Sequence, residues 1–366
     1  MSSSFGQWLK LSIFGQSHGP AVGVILDGFP AGMAIDAEAL ALELARRAPG
    51  QNAMTTARKE SDTPEFLSGV FNGRTTGQPL CAVIRSEHQR SGDYGDSVDL
   101  VRPGHADYTG HVRYFGFEDF RGGGSFSGRL TAPIVLAGAL CAQWLRAQGV
   151  TIVSHALALA DVRDEALPEV CPDGVTLRRL KAMPLPALRP EAADRMSEAI
   201  LAAKAEGDSV GGTVELAAWG LPAGLGAPFF DSAESVLSHL FFSIPGVKAV
   251  AFGDGFGFAA LRGSEANDPF RMEPETGRVV TATNHSGGIN GGITNGMPLR
   301  ATLAIRPTPS IAKPQQTVSL QRMENAELAI RGRHDPCILP RVCPVAEAMC
   351  AIGLMELWKE RAACVK

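Results

Sequence analysis

Three short polar segments in an otherwise apolar chain put proton-transfer groups beside glycine or arginine. They are Gly15-Gln16-Ser17-His18-Gly19, Arg102-Pro103-Gly104-His105-Ala106-Asp107 and Gly332-Arg333-His334-Asp335-Pro336-Cys337. His18 lies among glycines that permit a ligand to approach the backbone, and its imidazole can donate a proton near neutral pH. A histidine taken alone is more often structural than catalytic. His105 sits in a turn two residues before Asp107, a carboxylate near enough to orient one ring nitrogen. Asp335 follows Arg333 and His334, and nearby positive charge favours an ionised carboxylate that can act as a base, although Asp before Pro is also a common turn former. His334 and Cys337 read as packing or hydrogen-bonding neighbours, and His111 as structural.

In this order, with Gly122-Gly123-Gly124-Ser125-Phe126-Ser127-Gly128-Arg129 between the second and third, the segments resemble the chorismate synthase family. The resemblance also takes in Ser68-Gly69-Val70-Phe71-Asn72-Gly73, Thr283-Asn284-His285-Ser286-Gly287-Gly288 and Arg306-Pro307-Thr308-Pro309-Ser310, and so spans nearly the whole chain. It implies an α+β fold with helices sandwiched between antiparallel β-sheets, a single domain over residues 1–366, and assembly as a homotetramer. The activity implied is a 1,4-elimination of phosphate from 5-enolpyruvylshikimate 3-phosphate. The product is chorismate, in the shikimate pathway of aromatic amino acid biosynthesis, and the lyase requires reduced FMN without net redox change. In the family, the residue matching His18 is thought to protonate the departing phosphate. The match to His105 is proposed to protonate or steady the reduced flavin, and the match to Asp335 to help flavin N5 remove the substrate C6 proton.

A substrate with both phosphate and carboxylate needs several cations, and guanidinium offers a fixed fork for such groups. Arg47, Arg58, Arg129 and Arg333 all fall in family-matching segments, with Ser17 and Ser127 adding hydroxyl contacts. Each arginine alone reads more readily as a solvated surface residue. The glycine triplet at 122–124 would let backbone amides approach an anion, but it is a weak signal and fits neither the Rossmann nor the Walker spacing. For the flavin, the resemblance points to Ser125, Phe126, Ser127, Pro245, Gly246, Gly291, Arg306, Pro307, Thr308, Pro309, Ser310 and Arg333. Arg306 replaces a common family lysine and is expected to hold the flavin phosphate.

The chain also departs from the family pattern. Gln16 and Leu130 stand where glutamate is usual, Ala48, Ala53 and Ser125 where arginine is usual, and Phe126 where serine is usual. Paired loss of cations and carboxylates keeps the expected site near electrical balance, whereas each lost charged hydrogen bond weakens anion binding by more than about 1 kcal/mol. The alternative reading is a non-catalytic homologue that binds flavin or a phosphorylated metabolite. Reducing equivalents are expected from a separate reductase, with NADPH as direct reductant left open. The histidines show neither HExxH nor CxxC spacing, so no metal site is expected.

These groups need a large scaffold to hold them. The chain has 366 residues, 45% hydrophobic and 20% charged, with a formal charge of -4, which describes a soluble globular protein and points to neither a nucleic-acid nor a membrane partner. Seven widely spaced cysteines read as reduced thiols of a cytoplasmic protein, and the N-terminus shows no secretory signal. Asp36 and the Leu40/Leu44 spacing predict a helix over 36–47, and further helices are expected over 130–147, over 190–206, and from near Pro344 to about 359–361. The longest uncharged stretch, between Arg129 and Arg146, is too short and interrupted for a bilayer and reads as a core helix. Alternation over 212–217 and 299–305 predicts half-buried antiparallel strands.

Overall fold

The computed structural model describes residues 3–50, 54–55, 61–86, 99–330 and 334–364. Among them run eight α-helices: α1 (Ala37–Arg47), α2 (Asp107–Tyr114), α3 (Thr131–Ala147), α4 (Gly174–Ala182), α5 (Pro190–Ala205), α6 (Ala233–Phe242), α7 (Gly263–Ala266) and α8 (Leu339–Cys364). Two five-stranded sheets, each antiparallel throughout, flank the central helices. The first runs in space Ser4–Phe5, Lys10–Gly15, Ala21–Asp27, Leu80–Arg85, Pro64–Ser68. The second runs Val247–Phe252, Leu299–Ile305, Gly212–Trp219, Thr151–Leu159, Val162–Arg163. The expected strands at 212 and 299 are register partners in this second sheet, Val214 opposite Leu303 and Leu216 opposite Ala301.

α3 packs on the first sheet, α8 on the second, and the two helices pack on each other, giving the layered α+β arrangement. α3 is buried without a break from Thr131 to Cys141, including Leu136 and Leu140. Removing each such leucine from water contributes roughly 1.5–3 kcal/mol. The helical stretch Gly128–Ala147 is long and apolar enough to cross a bilayer, but 67% of its apolar window lies inside the protein, as expected of a core helix. The α3–α8 crossing is close because Gly138 has no side chain: a Cβ there would lie 2.3 Å from Ala348 Cβ.

α1 starts where the sequence places it, with the Asp36 carboxylate accepting from Ala39 N at 2.9 Å. α8 corrects the expectation of a start near Pro344: it begins five residues earlier, and Pro344 lies inside it. Pro340 already supplies the fixed φ suited to a first turn, and Pro344, just beyond that turn, leaves only one intrahelical bond unmade. α8 is buried on every face from Leu339 to Leu357, so it lacks the apolar stripe that marks a helix in sequence. All seven cysteines are free thiols: four are buried, Cys81 and Cys171 are half-buried and Cys364 is exposed.

Candidate active site

The first histidine segment follows the strand Lys10–Gly15 and turns directly onto the glycine triplet, where Ser17 N donates to Gly124 O at 3.2 Å. Gly122, Gly123 and Gly124 all take left-handed φ values of 63°, 85° and 52°. A Cβ on Gly122 would overlap the His18 ring, 2.0 Å from Nδ1, and one on Gly123 would lie 3.2 Å from His105 Cε1. The triplet is therefore the surface against which two imidazoles pack. Its glycines are required by the backbone conformation and by those rings.

His105 is fixed from the other side by a carboxylate, as its sequence position predicts. Its Nδ1 lies 2.8 Å from Asp107 Oδ1, and Asp107 also accepts from Arg102 Nε and Nη2, each at 2.7 Å. Burial pushes the Asp107 carboxyl up, but the hydrogen bonds from Arg102 and His105 outweigh it and hold the group well below the usual carboxylate range. This turn is strapped to the hairpin Gln315–Ser319/Glu324–Leu328, with Ser319 Oγ donating to Asp99 Oδ1 at 2.6 Å and Thr317 Oγ1 to Val101 O.

These groups meet around a cavity of about 280 Å³. One part of its wall carries Ser17, Arg47, Arg102, His105, Ser127 and Arg129. Another carries Arg306, Thr308, Pro309, Ser310, His334, Asp335 and Arg341, and an apolar part carries Phe126, Pro245, Gly246, Ile338, Val342 and Val345. Arg306 Nη1 donates to Gly104 O, which ties this wall to the His105 turn. His18 is buried at 4% exposure and reaches the cavity only through its neighbours Ser17 and Gly122. Pro307 is not in the wall, Ser125 borders an adjacent cavity with Leu130, and Gly291 occupies an exposed turn between Ile289–Asn290 and Ile293–Thr294. Arg58 and Arg333 lie outside the described residues, as does Ala53.

Three further charged residues that were not among the candidate site residues shape the site. Asp62, fully buried, takes Arg47 Nη2 at 2.7 Å on one oxygen and Arg129 Nη1 on the other. Arg102 forms the fork with Asp107, and Arg341 Nη1 donates to Asp335 Oδ2 at 2.5 Å. Arg102 stands within the second polar segment, a signal that its position already carried. Among the described residues, the five wall arginines, 47, 102, 129, 306 and 341, have three carboxylates among them, Asp62, Asp107 and Asp335. The excess positive charge suits an anion with more than one negative charge.

The remaining wall is chemically different. Burial pushes the His334 imidazole down, and the Arg102 charge adds to this against the opposing pull of Asp335. A neutral ring follows at neutral pH. His334 Nε2 and Thr308 Oγ1 are both buried without a hydrogen-bond partner among the described residues. Burial raises the Cys337 thiol to about 12, so it is no nucleophile. The cavity thus combines several arginines with apolar lining residues and with two buried polar atoms that have no hydrogen-bond partner among the described residues.

The family model described as chorismate synthase matches residues 9–358 of the chain. A chorismate synthase of Dehalococcoides mccartyi is 43% identical over 369 residues, covering 98% of this chain and 96% of that protein. One of Thermococcus gammatolerans is 46% identical over 352 residues, covering 96% of each. A solved structure titled as the crystal structure of chorismate synthase superposes with a TM-score of 0.76 at 27% identity, covering 98% of this chain and 93% of that one.

Proposed function

The chain belongs to the chorismate synthase family, and from that premise we propose that it is a carbon–oxygen lyase that eliminates phosphate from 5-enolpyruvylshikimate 3-phosphate to give chorismate. The observation that carries this reading is the convergence on one cavity of Ser17, Arg47, His105, Ser127, Arg129 and Asp335, with His18 against its glycine wall.

A flavin fits the residues present. The apolar wall of Phe126, Pro245, Ile338 and Val342 suits a flat ring system, Thr308 Oγ1 and His334 Nε2 are buried polar atoms available to its polar edge, and Arg306 suits its phosphate. Reduced FMN held by these residues would supply transient electron density for the elimination, without net redox change. Arg47 and Arg129, fixed by Asp62, bind the substrate's phosphate and carboxylate, joined by Arg58 and Arg333. Ser17 and Ser127 add hydroxyl contacts. His18 gives its proton to the departing phosphate oxygen, and the arginine charge stabilises the phosphate as it leaves. Asp335, held by Arg341, takes the proton lost from C6. His105, held by Asp107, steadies the negative charge of the bound cofactor.

We also propose a cytoplasmic homotetramer. Support comes from the exposed rings of Phe117, Phe229, Phe230 and Phe256, each more than 80% exposed in the single chain, and from the free thiols. Reduced flavin is expected from a separate reductase. The cofactor reading is tested by anaerobic turnover with dithionite-reduced FMN, with oxidised FMN, and with oxidised FMN plus NADPH. Many turnovers per reduced flavin, and none with oxidised FMN alone, are expected. Product formed without flavin, or one flavin consumed per product, would overturn the cofactor assignment, and turnover in the NADPH arm would remove the need for a reductase.

A further inference from the structure

Arg341 lies in the first turn of α8, where the helix dipole disfavours a cation. No acidic residue of that turn offsets it. Its guanidinium instead spans two walls of the cavity. Nη1 donates to Asp335 Oδ2 at 2.5 Å, and Nε donates at 2.9 Å to the backbone carbonyl of Arg47, the last residue of α1. The pair is largely withdrawn from water, with side-chain exposures of 19% and 9%.

Arg47 continues the connection, because its own guanidinium meets Asp62 at 2.7 Å and Asp62 meets Arg129. A single polar chain therefore runs from the candidate base through Arg341 to Arg47 and Arg129, the two described arginines proposed to bind the substrate. We infer that Arg341 is a positioning residue for this reaction: it fixes the Asp335 carboxylate and the end of α1 in one register, so that the proton acceptor and the anion-binding arginines face the same substrate. This rests on the reading of Asp335 as the proton acceptor.

Two physical arguments support the assignment. A fork donating through two nitrogens to two elements defines a distance and an angle, which a point charge does not. Reacting groups must also be held closely, since a misplacement of about 1 Å costs about 100-fold in rate. Arg341 touches the acceptor and the backbone of an anion-binding residue, so its loss is expected to appear in both kcat and KM.

The test uses the full chain, with anaerobic turnover of 5-enolpyruvylshikimate 3-phosphate by wild type, Arg341→Ala, Arg341→Lys and Asp335→Asn. Arg341→Ala is expected to lower kcat about 100-fold and to raise KM, with the thermal transition retained. Added guanidinium at a non-denaturing concentration is expected to restore part of its kcat while leaving wild type and Asp335→Asn unchanged. A purely structural role would not give that rescue. Arg341→Lys, which keeps one charge but not the fork, is expected to recover much of kcat while KM stays raised. If Arg341→Ala does not fold, Arg341→Lys carries the test through this split. Wild-type kcat and KM in either variant, or loss of kcat that guanidinium leaves untouched in folded Arg341→Ala, would overturn the inference. An inactive wild type would instead overturn the proposed function, so the two failures are distinct.

Discussion

A carboxylate shared by two buried guanidiniums cannot be removed without stranding positive charge. Asp62 is such a group, 1% exposed between Arg47 at 0% and Arg129 at 6%. Its substitution by asparagine is expected to cost about 3–5 kcal/mol of stability, the usual result of breaking one side of a buried ion pair. Inorganic phosphate is then expected to recover part of the lost melting temperature by occupying the vacated arginines, a response read by thermal unfolding with and without phosphate. An unchanged melting temperature would mean that Asp62 does not hold the pair. Residue types and spacing did identify His105 with its orienting Asp107, because the two stand two residues apart in one turn. They missed Asp62 because nothing in Ser61-Asp62-Thr63-Pro64 marks an ion pair. Asp62 also adopts φ 48°, a left-handed conformation that only the fold reveals. Arg341 carried a weaker signal, visible only once α8 is known to begin at Leu339.

The sheet behind the helices contains its own titratable cluster. His155, fully buried on the strand Thr151–Leu159, stands opposite Glu215 on Gly212–Trp219, with Nε2 2.9 Å from Glu215 Oε2 and Nδ1 3.4 Å from Asp164 Oδ2. Arg300 pairs with Glu215, and Arg189 with Asp164. Burial alone pushes the imidazole down, but the hydrogen bonds and charges of Asp164 and Glu215 raise it above its ordinary value. For both carboxyls burial pulls upward, but the hydrogen bond to His155 and the further bonds they accept hold them low. The histidine contribution is therefore complete below its unfolded value of about 6.5 and is lost as pH rises through the higher folded value. The carboxylate contribution is complete above about 4 and is lost as pH falls toward the depressed folded values. Thermal unfolding across pH is expected to show greatest stability from this cluster between about 4 and 6.5, with the decline on the alkaline side absent in His155→Gln. The same alkaline decline in both proteins would contradict the assignment. At this scale α1, α3, α5 and the strands at 212 and 299 were legible from caps and periodicity. The start of α8 was not, because a helix buried on every face has no period to read.

Across the whole molecule, the order of the polar segments along the chain carried the family, while their convergence depended on the fold. The segment at 15–19 leaves the first sheet, that at 102–107 is strapped to the hairpin over 315–328, and Asp335 precedes α8. Three distant stretches thus meet at one cavity that carries both arginines and apolar residues, the mixture on which the proposed substrate and cofactor rest. The most direct measurement is anaerobic turnover of 5-enolpyruvylshikimate 3-phosphate with dithionite-reduced FMN, following phosphate release and chorismate absorbance together in wild type and His18→Ala. Equal amounts of phosphate and chorismate, formed about 100-fold or more slowly without the imidazole, are predicted for a general acid. Measurable FMN binding with neither product formed by wild type would contradict the account.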